Sequence, residues 1–226
     1  QDALSYFEKA TQLAPSNVIY HNLWAQTHYI LQDYDEAITR LQKSASIDGR
    51  YPPTWILLGD TFAAKGDIDQ ALEAHSQGIQ VGGWGNFADQ FLDQRLRFYI
   101  SAGRGEDIVA AMQQRALDRP ENTNMQGAIG HTYNLMGQRD QAITYFEQAR
   151  ALGDTLDRTV RELANIYLAA ENFDQAIPNY QLLLESNPND VESNSALAFI
   201  YARQGRLDDA IRYNQAVLSQ SPNDYD

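Results

Sequence analysis

Histidine is the side chain of this sequence best suited to binding a metal ion or transferring a proton near neutral pH, and four are present. His21 and His28 lie two turns apart on one predicted helix, about 10 Å along its axis, which is too far for both to bind one ion. The sequence contains no cysteine, no Gly-rich phosphate loop, no G-x-S-x-G motif and no H-E-x-x-H zinc motif. We therefore predict no catalytic residue, no metal site and no cofactor.

Five aspartates recur at equivalent places, each shortly before a residue that opens an apolar helical stretch: Asp35, Asp69, Asp140, Asp174 and Asp208. Regularly placed carboxylates could bind metal ions. An aspartate at a helix start also accepts hydrogen bonds from the unpaired backbone N–H groups there, which stabilises the helix by about 1 kcal/mol. We interpret all five as N-cap residues.

The helices that carry these residues repeat at a fixed spacing. Residues 55–74 form two short amphipathic helices in this interpretation, because apolar residues recur at three- and four-residue steps on both sides of Gly66. The residue that opens each second helix then recurs at steps of 34, 34, 37, 34, 34 and 34 residues, at Ala3, Ala37, Ala71, Ile108, Ala142, Ala176 and Ala210.

Residues 55–74 contain, in order, a Trp, Leu-Gly, an aromatic residue, Gly and a later Ala. Together with the period of 34 residues, this pattern resembles the tetratricopeptide repeat (TPR) family. The resemblance implies an all-α, right-handed superhelical solenoid of helix-turn-helix repeats, with thirteen helices in a single domain over residues 1–226. Its parts are a half repeat at 1–17 and repeats at 18–51, 52–88, 89–122, 123–156, 157–190 and 191–226.

The third and fourth copies depart from the regular pattern. Repeat 52–88 contains a three-residue insertion near Gly82, and the divergent fourth copy has Leu96 and Ile108 where small residues are usual. Because bulk at a close contact pushes helices apart, we expect an irregular loop and a changed packing angle between these copies. Pro178 falls inside a later helix, and we expect it to remove one early hydrogen bond without breaking that helix.

Charge and hydropathy narrow the range of partners. The chain has 30 acidic and 17 basic residues and a net charge of −13, which argues against nonspecific binding to nucleic acid, since such binding relies on clustered Lys and Arg. No apolar run reaches the roughly 18 to 20 residues that span a bilayer, so we predict no membrane insertion.

Because the sequence begins halfway through a repeat, we expect it to be part of a longer protein.

In TPR proteins the first helices of the repeats line a concave surface that holds a peptide or a partner's helix. Carried over by position, the resemblance predicts a protein-binding face on this chain. Its predicted residues are Asn22, Gln26, Tyr29, Arg97, His131, Asn134, Arg158, Arg161 and Asn165. The resemblance also implies that His21, His28 and His75 face the packed interior, whereas His131 is exposed.

The basic part of this face invites a more specific hypothesis. Chaperone-binding TPR proteins hold a terminal carboxylate with a basic residue and an Asn four places later, which Arg161 and Asn165 match, although Ala196 stands where the next repeat of such a clamp has Asn. Arg158 and Arg161 could thus bind acidic groups of a partner. They could also pair within the chain, with Asp157, Glu162 or Glu192.

The sequence therefore predicts a non-enzymatic protein-protein interaction scaffold that binds a peptide or protein segment in a concave groove. One alternative is a structural module whose ends stack head to tail into oligomers or filaments. Another is an accessory region of a larger bacterial protein, which could be associated with a membrane. The sequence leaves the partner and the compartment open.

Overall fold

The computed structural model describes residues 2–82, 92–120, 122–154 and 156–219. All regular structure in this part of the chain is α-helical, and its thirteen helices confirm the predicted fold class. The helices are α1 (Asp2–Leu13), α2 (Val18–Ile30), α3 (Tyr34–Ile47), α4 (Pro52–Lys65), α5 (Ile68–Val81), α6 (Leu92–Ser101), α7 (Gly105–Asp118), α8 (Thr123–Leu135), α9 (Arg139–Ala151), α10 (Asp157–Ala169), α11 (Phe173–Ser186), α12 (Val191–Arg203) and α13 (Leu207–Leu218).

The chain is divided into two compact units, residues 1–136 and residues 137–226. In the N-terminal unit, α2 packs on α3 and α4 packs on α5, and the first helices α2 and α4 also contact each other. In the C-terminal unit, α10 packs on α11 and α12 packs on α13, while α11 contacts α12. Each unit is thus built from antiparallel helix pairs, and one continuous domain over 1–226 stays a prediction.

Small residues allow the helices to approach closely, as the repeat pattern predicts. Ala37, Ala71 and Ala176 on the second helices are fully buried. In the divergent copy, Leu96 on the first helix and Ile108 on the second are fully buried as well, so larger apolar side chains stand where the repeat pattern usually has small ones. The irregular loop predicted after Gly82 lies outside the described residues, and the changed packing angle stays a prediction.

The N-cap assignment of the five recurring aspartates is wrong by two residues. The N-cap positions of the same helices are occupied by Asp33, Asp67, Gln138, Asn172 and Arg206. Of these, Asp67 accepts a hydrogen bond from the backbone N–H of Gln70 at 3.2 Å. The predicted aspartates lie in the first turn instead, where a negative charge still favours the helix dipole, and Asp35 also pairs with Lys65.

Pro178 lies inside α11, and the helix continues through it to Ser186, as predicted. Within the described ranges, no helix combines the length and the apolar character needed to cross a membrane. The same residues contain no group of three or more His, Cys, Asp or Glu side chains arranged to hold a metal ion.

Candidate protein-binding surfaces

A groove of about 770 Å³ lies between α2, α4 and α6 in the N-terminal unit. One wall is formed by Ile19, Leu23 and Ile30, which are exposed to solvent and fall on one face of α2. The remaining apolar lining comes mainly from α4 and α6 and includes Pro53, Ile56, Leu57, Ala63 and Phe98. The helices therefore enclose an apolar surface that stays open to solvent.

Three of the predicted binding residues, Asn22, Gln26 and Tyr29, line this groove. Gln26 is exposed and Tyr29 is partly exposed, whereas Asn22 is only 8% exposed. The Asn22 side-chain amide donates hydrogen bonds to the hydroxyl oxygens of Ser44 at 2.7 Å and Thr54 at 2.8 Å. Asn22 thus joins α2 to α3 and α4, and a binding role for all three predicted residues stays a prediction.

A buried ionic network lies beside the groove and includes Asp60, one of its lining residues. The two carboxylate oxygens of Asp60 accept hydrogen bonds from Nε and Nη2 of Arg95, both at 2.9 Å. Nε2 of His75 lies 3.1 Å from Asp60 Oδ1 and 3.2 Å from the Ile56 carbonyl oxygen, so this nitrogen is the donor. Nδ1 of His75 lies 2.6 Å from the Tyr99 hydroxyl. The network fixes α4, α5 and α6 to one another.

This network keeps Asp60 ionised. Burial disfavours the charged carboxylate, but hydrogen bonds from His75 and Arg95 outweigh burial and lower the pKa of Asp60 to about 2. Burial and the negative charge of Asp60 raise the pKa of Tyr99 and that of Tyr29, so both hydroxyls are protonated at neutral pH. Since Arg95 cancels the charge of Asp60, this pair adds no net charge to the groove.

Arg95 was not identified from the sequence, although a signal was present. It follows Asp60 by 35 residues, which is close to one repeat period, so side chains of opposite charge occupy nearly equivalent places in successive repeats. The exposed apolar residue Leu23 was also missed, because it lies between the positions that the resemblance marks as binding residues. Both side chains belong to the groove surface.

The expectation that His131 is exposed is wrong. His131 is 4% exposed, and its Nε2 lies 3.0 Å from Oδ1 of Asp93. The reason is that α6 packs against α8 and places Asp93 against the ring. The neighbouring predicted residues differ, since Arg97 on α6 is exposed and Asn134 on α8 is partly exposed.

The interior positions predicted for the other three histidines are confirmed. His21 and His28 are buried on α2, and His75 is buried on α5. His21 lies 3.0 Å from the carbonyl oxygen of Pro15 through Nε2. His28 lies 3.0 Å from Asp33 through Nδ1. Each ring therefore has a local hydrogen-bond partner in the protein interior.

The predicted residues of the C-terminal unit form a network of their own on α10. Arg161 donates two hydrogen bonds to Asp190, at 3.0 and 2.8 Å, and a third to Glu192 at 3.0 Å. The Asn165 amide donates to Glu192 at 2.9 Å, and its carbonyl oxygen accepts a hydrogen bond from the Tyr180 hydroxyl at 2.5 Å. The hydrogen bond from Arg161 lowers the pKa of Asp190 to about 2, so this acid stays ionised at neutral pH.

The sequence left open whether Arg158 and Arg161 bind acidic groups of a partner or pair with acids of this chain. In the structure, both pair within the chain. Arg158 donates to Glu162 at 3.3 Å, and Arg161 pairs with Glu192 as well as Asp190. The pairing of Arg161 with Asp190 was missed, although an Asp immediately before Val191 is a typical N-cap and does accept the Ser193 N–H at 2.7 Å. A role of Arg158, Arg161 and Asn165 in binding stays a prediction.

Sequence profiles of the tetratricopeptide repeat match residues 1–52 and 161–225 and, separately, residues 124–149. The chain therefore belongs to the tetratricopeptide repeat family, whose all-α helix-turn-helix fold it has. The small glutamine-rich tetratricopeptide repeat-containing protein 2 of Saccharomyces cerevisiae is 31% identical over 128 residues, which are 57% of this chain and 36% of that protein. Subunit 6 of the anaphase-promoting complex of Arabidopsis thaliana is 25% identical over 177 residues, which are 76% of this chain and 32% of that protein.

The chain thus spans about a third of the length of these curated relatives. Among solved structures, the C-terminal part of a TPR repeat-containing protein from Cytophaga hutchinsonii aligns with a TM-score of 0.63 and 18% identity. That alignment covers 99% of this chain and 91% of the other. At this identity the likeness shows a shared fold.

Proposed function

We propose that this chain is a non-enzymatic protein-interaction scaffold whose N-terminal unit binds an uncharged, apolar segment of a partner protein in the groove between α2, α4 and α6. The observation that carries this proposal is the row of exposed Ile19, Leu23 and Ile30 along one groove wall. Contiguous apolar surface that is open to solvent is typical of interaction sites, because covering it removes apolar area from water.

The chemistry of the groove supports an uncharged occupant. Asp60 and Arg95 neutralise each other, so a charged partner side chain would lose hydration there without gaining an unpaired counter-ion. The buried network of Asp60, Arg95 and His75 also holds α4 and α6, two of the three groove helices, in place before binding. A receptor that is already ordered loses little conformational entropy when a partner binds.

The relatives support an interaction role at a coarser level. One of them is, by its name, a subunit of the anaphase-promoting complex, so a TPR array similar to this one belongs to a multi-protein assembly.

Leu23→Glu is expected to weaken binding at the groove at least tenfold, because it places a charge on the apolar wall. The probe is a peptide selected from a phage-displayed library on the full 226-residue chain, with affinity measured by fluorescence anisotropy. We expect the selected peptides to be rich in aliphatic and aromatic residues and poor in charge.

The matched control is Leu117→Glu, since Leu117 is 76% exposed on α7 and does not line the groove. This variant should bind the selected peptide as wild type does, and both variants should keep the wild-type circular dichroism spectrum. Equal losses in the two variants, or selection of highly charged peptides, would contradict the proposal.

Self-association is a second candidate function, favoured by exposed Leu207, Ile211 and Leu218 on one face of α13. This candidate predicts a light-scattering mass above the 25.5 kDa of one chain, rising over a hundredfold range of protein concentration. Leu218→Glu should return the mass to that of one chain without affecting the groove. A constant mass of one chain for wild type would exclude this candidate.

A further inference from the structure

The exposed face of helix α12 in the C-terminal unit combines apolar and acidic side chains. This α12 face consists of Val191, Glu192, Ser195 and Phe199, all of which are exposed. Phe199 is 53% exposed, and it follows Glu192 by two helical turns, or about 10 Å along the helix axis. Exposed aromatic side chains are enriched where proteins meet, so this face is a candidate interaction surface.

Neighbouring side chains fix the carboxylate of Glu192 while leaving part of it open. Burial, followed by the charge of Glu192, raises the pKa of Tyr180, so its hydroxyl keeps its proton and donates to Asn165. The Asn165 amide nitrogen is thereby directed to one Glu192 oxygen, and Arg161 binds the other. A carboxylate offers about four acceptor positions, so this half-exposed group can accept further donors.

The charges around this carboxylate favour a cation. Arg161 is shared between two acidic side chains, Asp190 and Glu192, so the network has one more acidic than basic side chain, whereas Arg158 and Glu162 pair one to one. Residues 137–226 as a whole contain 14 acidic and 7 basic residues. An acidic partner group would therefore meet an excess of like charge, and a basic group would meet an opposite charge.

We propose that the α12 face binds a basic protein segment, in which a Lys or Arg side chain contacts Glu192 and an apolar side chain contacts Phe199. Arg161 and Asn165 position Glu192 in this arrangement and do not bind the partner's acidic groups. The charge that the surface selects is thus the opposite of the one that the arginines suggest in the sequence. The proposal concerns the C-terminal unit and does not depend on the apolar groove of the N-terminal unit.

The test compares two short peptides that differ only in their first residue and carry opposite charges, acetyl-Lys-Ser-Ser-Leu-amide and acetyl-Glu-Ser-Ser-Leu-amide. In a polyproline II conformation, which has three residues per turn, residues three apart lie on the same side of the chain and about 9 Å from each other. This spacing is close to the distance from Glu192 to Phe199. We expect the lysine peptide to shift the NMR signals of the Asn165 side-chain amide and the Phe199 ring in a saturable way. The glutamate peptide should bind at least fivefold more weakly.

Glu192→Gln is the corresponding variant, with Glu185→Gln as the control, since Glu185 is an exposed acid of α11 in the same unit. Loss of the Glu192 charge should weaken binding of the lysine peptide at least fivefold, whereas the control variant should change the affinity of this peptide less than twofold. Equal losses would show attraction to the overall negative charge alone. That result, tighter binding of the glutamate peptide, or no shift of either signal with the lysine peptide would overturn the proposal.

Discussion

Arg95→Met is expected to lower the free energy of unfolding of the N-terminal unit by about 3 kcal/mol. Arg95 is only 9% exposed and donates to both oxygens of Asp60. Its removal leaves a largely buried carboxylate with His75 as the remaining side-chain donor among the described residues. Removing one partner of a buried ion pair is costly because the other charge stays uncompensated. Methionine keeps an apolar chain in place of the aliphatic part of Arg95 and lacks the guanidinium group, so lost charge pairing dominates the effect.

Tryptophan fluorescence during urea denaturation measures this effect, because all three tryptophans, Trp24, Trp55 and Trp84, fall within residues 1–136. The control is Arg97→Met, which removes an exposed arginine two residues further along α6. Surface substitutions of this kind change stability by about 0.5 kcal/mol or less. Similar destabilisation in both variants would contradict a special role for the pair of Asp60 and Arg95.

The same pair makes the stability of this unit depend on pH. Folding lowers the pKa of Asp60 from its ordinary value of 3.8 to about 2, so the unfolded chain binds a proton more readily than the folded protein does. The contribution is therefore fully present above about pH 4 and is lost as the pH falls to about 2, in total about 2 kcal/mol. Between these pH values, the stability of Arg95→Met should fall less steeply than that of wild type.

The helical pairing could be predicted from the sequence because its determinants are local and repeated. Every second helix except that of the divergent fourth copy presents a small residue to its neighbours once per period, and places such as Ala37 and Ala71 are fully buried. Such a residue marks where two helices meet, but it does not mark where a helix begins. This explains why the N-caps were assigned two residues too late, at Asp35 and Asp69 instead of Asp33 and Asp67.

The candidate surfaces were less predictable, because they depend on pairs of residues about one repeat apart. Buried His131 contacts Asp93 on a neighbouring helix, and the charge of Asp60 is neutralised by Arg95. The repeat pattern places each of these side chains on a helix, yet it does not select which neighbour each one meets. In the same way, a sequence motif reveals the charge of Arg161 but not the two acids that share its guanidinium.

Gly59→Ala is expected to destabilise the N-terminal unit by about 2 to 3 kcal/mol, because the new methyl group overlaps with His75. A Cβ atom at residue 59 would lie 2.2 Å from Cδ2 of His75. The ring cannot easily move away, since it is buried and hydrogen-bonded to Tyr99 and Asp60. Urea denaturation followed by tryptophan fluorescence measures the loss.

Gly78→Ala provides a control of opposite sign in the adjacent helix α5. Its Cβ atom would lie 3.4 Å from Cβ of Trp55, which is an ordinary van der Waals contact. Alanine favours a helix over glycine by about 1 kcal/mol, so Gly78→Ala should be neutral or stabilising. If both alanine variants lost similar stability, general crowding of the helices would explain the loss better than contact with His75.

A double-mutant cycle separates the contact with His75 from every other effect of an alanine at position 59. In the His75→Ala background the ring is absent, so Gly59→Ala should be neutral or stabilising, as expected for alanine in a helix. The coupling between the two substitutions should then be about 2 kcal/mol or more. An equal cost of Gly59→Ala in both backgrounds would rule out the clash, and the close approach of the helices themselves would have to exclude the methyl group.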